Sequence, residues 1–400
     1  MTQETMLKNS LLATWTWFHR SKVMIPEDGT WGVAERVFLT EGNEATEKAL
    51  ANFPTWMKYK DHYIFEHRRA DCNLETAFLF LKMHEVFGNK LPFRKTAENI
   101  LDFLYFRSAL LNHDASKPSL YGTWCWSHAE RKHYVWFDDN AWMAILALKI
   151  ARAYPALDRR YKMTHYAMAL ADLLAAEAPK YWKDVNTKGE IFSWVGPLDN
   201  PHWGSLVCAA LAEAARKERK KAYTDFIFAY EKMLLEKADQ FDTSATSYAI
   251  LGLTASYKAL KEESTLKCAK IFADRLVRAM DPETGNIPSE HWEAPSGTNL
   301  ADTVYTMNWA ALALQNMAAL DPRYRAPFEK ILSLLLKIQD RTRKAYLFGC
   351  WRGMFDLDAG VWGGGDRYEG GANSIYTGWT NAPIGWVCAF TLLKSNLMES

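Results

Sequence analysis

Ser205-Leu206-Val207-Cys208-Ala209-Ala210-Leu211-Ala212 runs for more than two helical turns without a charge, on small and apolar side chains only. A helix so poor in charge is buried around most of its circumference. Asn308-Trp309-Ala310-Ala311-Leu312-Ala313-Leu314 has the same character. Segments of this kind begin near Asn73, Asn140, Trp203, Thr243, Thr303 and Thr380, after polar or aromatic loops. Between them lie charged, plainly amphipathic helices at roughly 5–20, 94–111, 159–178, 216–239, 263–280 and 323–343. One outer helix alternating with one inner helix, six times over, is what a closed barrel of helical hairpins requires. The expectation is an all-α chain in which residues 1–400 form a single domain. Strand-period alternation is scarce, and no dinucleotide-binding or P-loop context appears.

Composition sets the outer bounds. The 400 residues are 49% hydrophobic and 24% charged, an ordinary globular balance with ample material for a core. With 48 basic and 47 acidic side chains the formal net charge is +1, so neither nucleic acid nor an anionic membrane is expected as a partner. No apolar run approaches membrane-spanning length. Met1-Thr2-Gln3-Glu4-Thr5-Met6-Leu7-Lys8 lacks a basic stretch followed by an apolar one, and it reads as a cytoplasmic start. Cys72, Cys125, Cys208, Cys268, Cys350 and Cys388 are scattered with no C-x-x-C pair, so reduced and mostly buried thiols are expected. Aromatic content is the unusual quantity: 14%, with 17 Trp, is more than core packing needs, and part of it should line a cleft.

The chemistry gathers at Tyr134-Val135-Trp136-Phe137-Asp138-Asp139-Asn140-Ala141-Trp142. Two adjacent carboxylates sit where an aromatic loop ends and an inner helix begins. Helix starts favour acidic residues, because the first N–H groups lack partners and the dipole attracts negative charge. On that ground alone Asp138 caps the helix and Asp139 occupies its first turn. The aromatic surroundings add a second explanation. Tyr134, Trp136, Phe137 and Trp142 offer surface that stacks on a sugar ring and raises a carboxyl pKa by desolvation.

Six helical hairpins in this length resemble the (α/α)6 six-hairpin glycosidase superfamily, a likeness of pattern that covers essentially the whole chain. Phe137-Asp138-Asp139-Asn140-Ala141-Trp142, followed by Ala144, Leu146 and Leu148, resembles glycoside hydrolase family 76, the endo-α-1,6-mannanases. In that family an Asp-Asp pair opens an inner helix and carries catalysis, which implies Asp138 and Asp139 here. The compact length and the N-terminal start are more similar to the unsaturated glucuronyl hydrolases and related exo-acting uronidases. Fold does not settle function, so the site must decide.

In such a barrel the loops entering the inner helices share one mouth, and distant residues converge there. Glycoside cleavage needs one carboxylic acid to protonate the leaving oxygen and a second carboxylate as base or nucleophile. Asp138 and Asp139 supply at least one, and Glu369 is a candidate for another. Neighbours on one helix do not face each other, which leaves room for a carboxylate from a second loop. Glu66, His67, Arg68 and Arg69 form a loop that could hold a substrate carboxylate, since Arg offers a fixed two-pronged donor. Trp136, His202 and Trp203 line two further loops, and His291 with Trp292 a third. The Gly-rich segment from Trp362 presents Arg367, Tyr376 and Trp379, or else simply closes the last hairpin. No metal-ligand spacing such as H-E-x-x-H occurs, and no cofactor is expected. The leading expectation is a glycoside hydrolase acting on oligosaccharides, removing a terminal uronic acid from the chain end. The alternatives are an endo-α-mannanase, a sugar epimerase using His67, His202 and His291, and a non-catalytic carbohydrate-binding barrel.

Overall fold

The charge-poor segments turn inward and the amphipathic ones outward. The computed structural model describes residues 1–39, 51, 55–129, 134–182, 193–289, 299–363 and 371–400. The helical hairpins follow in chain order. They are α1 (Gln3–Arg20) with α2 (Ala70–Phe87), α3 (Phe93–Asp102) with α4 (Phe137–Ala153), and the short α5 (Pro155–Tyr161) and α6 (Met163–Glu177) with α7 (Pro201–Ala215). The last three are α8 (Lys221–Glu236) with α9 (Thr243–Leu260), α10 (Glu263–Ala279) with α11 (Met307–Leu320), and α12 (Arg325–Ile338) with α13 (Ala382–Leu393). The second member of each pair is inner. These pack α2 on α4, α4 on α7, α7 on α9, α9 on α11, α11 on α13 and α13 back on α2, a closed ring. The (α/α)6 barrel expected from the alternation is the fold observed.

Why the ring closes is visible in particular contacts. A Cβ at Gly252 of α9 would stand 2.5 Å from the Ser205 carbonyl of α7, so glycine there lets two inner helices touch backbone to backbone. Trp142, Trp309 and Trp386 fill the axis, with Trp142 stacked 5.6 Å from Trp309 and tilted 5.7 Å from Trp386. Outer helix α1 returns to the end of the chain, where Ser10 and Thr14 bond Gln339 and Trp17 donates to the Tyr346 carbonyl. At the floor, Glu213 receives Lys149 at 2.7 Å and Arg152 and Arg216 at 3.1–3.2 Å. The same three cations donate to the carbonyls of Leu397, Ser400 and Met398, pinning the last residues across the barrel's lower end. Burial pushes the Lys149 ammonium down to about 8, although Glu213 opposes that.

Several helix bounds differ from the periodicity, each for a local reason. The expected 94–111 helix ends as α helix at Asp102, passes through a π turn at Phe103–Arg107, and stops where Ser108 Oγ bonds the Leu104 carbonyl. The expected 159–178 helix is split by Lys162 in the left-handed region, at φ 54°. Helix α11 begins at Met307 rather than near Thr303, because Asp302 Oδ1 takes the Val304 and Tyr305 N–H groups into a turn. Short strands, too brief for alternation to register in sequence, tie the mouth loops together. They are β1 (Arg36–Leu39), β2 (Trp56–Lys58), β3 (His62–Phe65), β4 (Tyr134–Trp136), β5 (Ser193–Val195), β6 (Leu300–Asp302), β7 (Met354–Asp356), β8 (Val361–Trp362) and β9 (Ser374–Tyr376). They form sheets in the orders β2-β3-β1-β9, β4-β5 (parallel) and β6-β7-β8. No described helix is long and apolar enough to cross a membrane, and no disulfide joins the six cysteines.

Candidate active site

Arg69 stands at the cap of α2, where the chain leaves β3 and enters the inner ring. Its guanidinium is the cation the mouth is built on. Nη1 reaches Glu35 Oε1 at 3.1 Å, Nε and Nη2 grip Asp71 at 3.1 and 2.7 Å, and Nη2 also reaches Asp139 Oδ1 at 2.7 Å. The indoles of Trp126 and Trp379 lie 5.5 and 5.1 Å from it. Trp379 also donates to Asp71 Oδ2 at 2.8 Å. Arg36 Nε bonds Glu35 at 3.1 Å, so Glu35 has a second cation.

Asp138 and Asp139 both lie in the first turn of α4, whose cap residue is Trp136. Neither carboxylate caps the helix. Adjacent positions diverge on a helix, and the pair divides accordingly: Asp139 turns to Arg69, and Asp138 Oδ2 meets His202 Nε2 at 3.0 Å. His202 is placed by α7, where Asn200 caps the helix by accepting the His202 N–H at 3.0 Å. Its ring is stacked on Trp203 at 4.7 Å and on Tyr248 at 4.6 Å. Asp138 and Asp139 are each only 4% exposed, and one oxygen of each bonds no described protein group.

The charges do not balance one to one. Burial alone would raise Glu35, yet Arg36 and Arg69 overcome it and hold that carboxyl below its usual range. Asp71 takes the bidentate grip and the indole N–H, leaving Asp139 a single contact with the shared guanidinium. Burial therefore raises the Asp139 carboxyl well above its ordinary range, with Arg69 opposing and Asp71 and Asp138 adding to the rise. Below them Glu75, fully buried on α2, is also raised by burial and by Asp71.

The residues expected from sequence fall into three groups. Arg69, Trp136, Asp138, Asp139, His202, Trp203 and Trp379 come to the mouth. Arg68 is committed elsewhere: it donates to the Trp31 and Gly32 carbonyls and to Glu66, so it pins a loop. Tyr376 belongs to β9, which pairs with β1, and Arg36 covers its ring at 4.3 Å. His67 is buried beside Trp126 and Ser127. Glu369, Arg367, His291 and Trp292 lie outside the described residues. Glu35, Glu75 and Tyr248 were not anticipated. Asp71 and Glu75 are four apart on a helix otherwise poor in charge, a spacing that puts them on one face. Glu35 sits in an aperiodic loop and carried no such signal.

Asp71, Cys72 and Glu75 bring ligand atoms within 4.8 Å of one another, the one such trio found among the described residues. Both Asp71 oxygens are already taken by Arg69 and Trp379, and the adjacent guanidinium disfavours a second cation. The trio is part of the ion cluster.

No family model matches the chain, and no curated protein matches it. Solved structures do share its fold. D-mannose isomerase superposes with a TM-score of 0.60 at 15% identity, over 97% of this chain and 97% of that one. An unsaturated glucuronyl hydrolase specific for heparin gives 0.57 at 12% identity, over 99% and 100%. An inactive variant of the α-1,6-mannanase GH76A of Salegentibacter sp. HEL1_6, with two consecutive aspartates changed to asparagine and α-1,6-mannotriose bound, gives 0.56 at 10% identity, over 97% and 99%. Both families that the sequence resembles are thus among the structural neighbours, with epimerases beside them.

Proposed function

We propose that the chain is a glycoside hydrolase acting on oligosaccharides, with Asp139 as general acid and Asp138 as the opposing carboxylate. The division of the Asp pair carries this reading. Asp139, whose carboxyl burial raises, gives the proton to the leaving oxygen; Asp138, oriented by His202, takes a proton from water or attacks the sugar. The mannanase neighbour lends support, since its inactive form was made by changing two consecutive aspartates. A uronide preference finds little support in the described arginines. Arg68 is spent on backbone carbonyls and Arg69 on three carboxylates. A neutral sugar suits this carboxylate-rich mouth better.

The test is a panel of aryl glycosides, aryl glucuronides and α-1,6-mannan oligosaccharides, run on the wild type, Asp138→Asn and Asp139→Asn. Each variant should lose about 10²–10⁴-fold in kcat/KM with folding intact. Full activity in both, with only an earlier melt, would reduce the pair to helix-start stabilisers. One observation favours a second reading. His202 paired with Asp138 is also a proton-transfer dyad suited to moving the C2 hydrogen of a reducing sugar, and D-mannose isomerase is among the neighbours. Deuterium uptake at C2 of a free sugar in D2O, without glycoside cleavage, would establish that activity instead.

A further inference from the structure

Glu75 is spent on nothing the reaction above requires. It projects from α2, one turn beyond Asp71, and is 0% exposed. Neither of its carboxyl oxygens hydrogen-bonds a described group. An unpaired acid at such a depth costs stability, whereas the helix around it is apolar, with Leu74, Ala77, Phe78 and Leu79 all buried. The fold has nonetheless made room for it: a Cβ on Gly378 would lie 2.3 Å from Glu75 Oε2 and 2.6 Å from the Cys72 Cα. The groups facing it are Asp71 and Cys72 on its own helix, Arg69 at the cap, Asp138 from α4 and Tyr248 from α9. The segment 377–393, which packs over it, brings no charged side chain.

We propose that Glu75 is a positioning residue that works as a neutral acid: uncharged, it leaves Arg69 to Glu35, Asp71 and Asp139, and its ionisation draws that cation away and disables the pair. This rests on the hydrolase reading for its consequence in catalysis, but the charge state itself does not depend on any substrate. Burial together with Asp71 keeps the proton on Glu75 in the working enzyme. Arg69 bonds all three carboxylates above, and among the described residues only Glu35 of the three has a second arginine, Arg36. A further anion within 4.8 Å of Asp71 would compete for the same guanidinium.

The experiment compares wild type with Glu75→Gln, which has the same shape and no ionisation; Glu75→Leu serves as a second neutral variant should Gln not fold. Thermal melting from about pH 5 to about pH 9 needs no substrate. A raised carboxyl loses its stabilising contribution as pH rises through its folded pKa, so the wild type should fall relative to the neutral variant toward alkaline pH. Parallel melting curves overturn the proposal. The second arm is kcat/KM against pH on whichever glycoside the panel identifies. Glu75→Gln should stay within about threefold of wild type near neutral pH. Its alkaline fall should change from a two-proton to a one-proton slope. A folded but inactive variant at every pH, or an unchanged alkaline limb, overturns the positioning role. Should wild type cleave no glycoside, the hydrolase reading fails while the melting comparison still decides the charge state of Glu75.

Discussion

Arg69→Met removes the one cation shared by the carboxylates of the mouth, and its cost can be worked out in advance. Four charge-assisted hydrogen bonds disappear: one to Glu35, two to Asp71 and one to Asp139. Each is ordinarily worth about 1.5–3 kcal/mol, but the full sum overstates the loss. A carboxylate stranded in the interior takes up a proton instead, which at neutral pH costs about 4 kcal/mol for an ordinary carboxyl. That agrees with the roughly 3–5 kcal/mol expected when one partner of a buried ion pair is deleted. For 400 residues the unfolding entropy is about 0.8 kcal/mol/K, so the melting temperature should drop by about 4–6 °C near pH 7. The pH dependence separates this from a packing defect. The stranded carboxyl has a folded pKa above its unfolded one, so its contribution is intact at low pH and lost as pH rises through the folded value. The gap between variant and wild type should therefore widen by about 1.4 kcal/mol, or about 1.5–2 °C, per pH unit for each proton taken up. Scanning calorimetry at about pH 5, 6, 7 and 8 reads it directly. A gap that stays constant across that range would refute the charge argument, and Arg69 would be filling space between Trp126 and Trp379.

Further expectations follow from other contacts. His202→Asn deletes the 3.0 Å contact to Asp138 and the stacking on Tyr248, and it should lower kcat/KM by about 10²–10⁴-fold. Glycoside assays beside a thermal melt check this; an active variant would leave His202 as packing. At the opposite end of the barrel, Glu213→Gln leaves Lys149 facing a neutral amide and a backbone carbonyl in place of its anion and should cost about 3–5 kcal/mol. Lys149 has a depressed folded pKa, so stability is lost as pH falls toward it. The deficit of Glu213→Gln should accordingly shrink toward alkaline pH in melting experiments, with glycoside turnover near wild type at permissive temperature. Arg68→Met should release the Trp31–Gly32 loop, giving a local rise in amide exchange over those residues and no selective loss of glucuronide turnover.

Much of this was legible in the residues, and the boundary between what was and was not is physical. The ring announced itself because an inner helix must shed charge along its whole length, a signal that Ser205–Ala212 and Asn308–Leu314 carry without reference to any partner. Asp138 and Asp139 were legible because adjacent carboxylates at an aromatic helix start are rare in a plain amphipathic pattern. Arg68 and Arg69 were not separable in sequence. One ends in a knot of backbone carbonyls and the other at the centre of the mouth, and only the path of the chain between Trp31 and Val33 decides which. Glu35 could not be found at all. Its partner Arg69 is 34 residues away, beyond strands too short for their alternation to register in sequence.

The topology also explains why acids collect where they do. Every inner helix follows an outer one that climbs toward the mouth, so all six inner helices start there. Each helix start presents unpaired N–H groups and a partial positive charge of roughly half a unit. A ring of such ends is a standing positive field at one face of the barrel, independent of any side chain. It stabilises Asp71, Asp138 and Asp139, all in first turns, before any arginine is counted. Arg69 then need only apportion what the backbone has begun, which is how one guanidinium can serve three carboxylates without the site falling apart. Glu75 lies one turn deeper, where the end field has faded, so the burial that raises its carboxyl meets no help from the helix end.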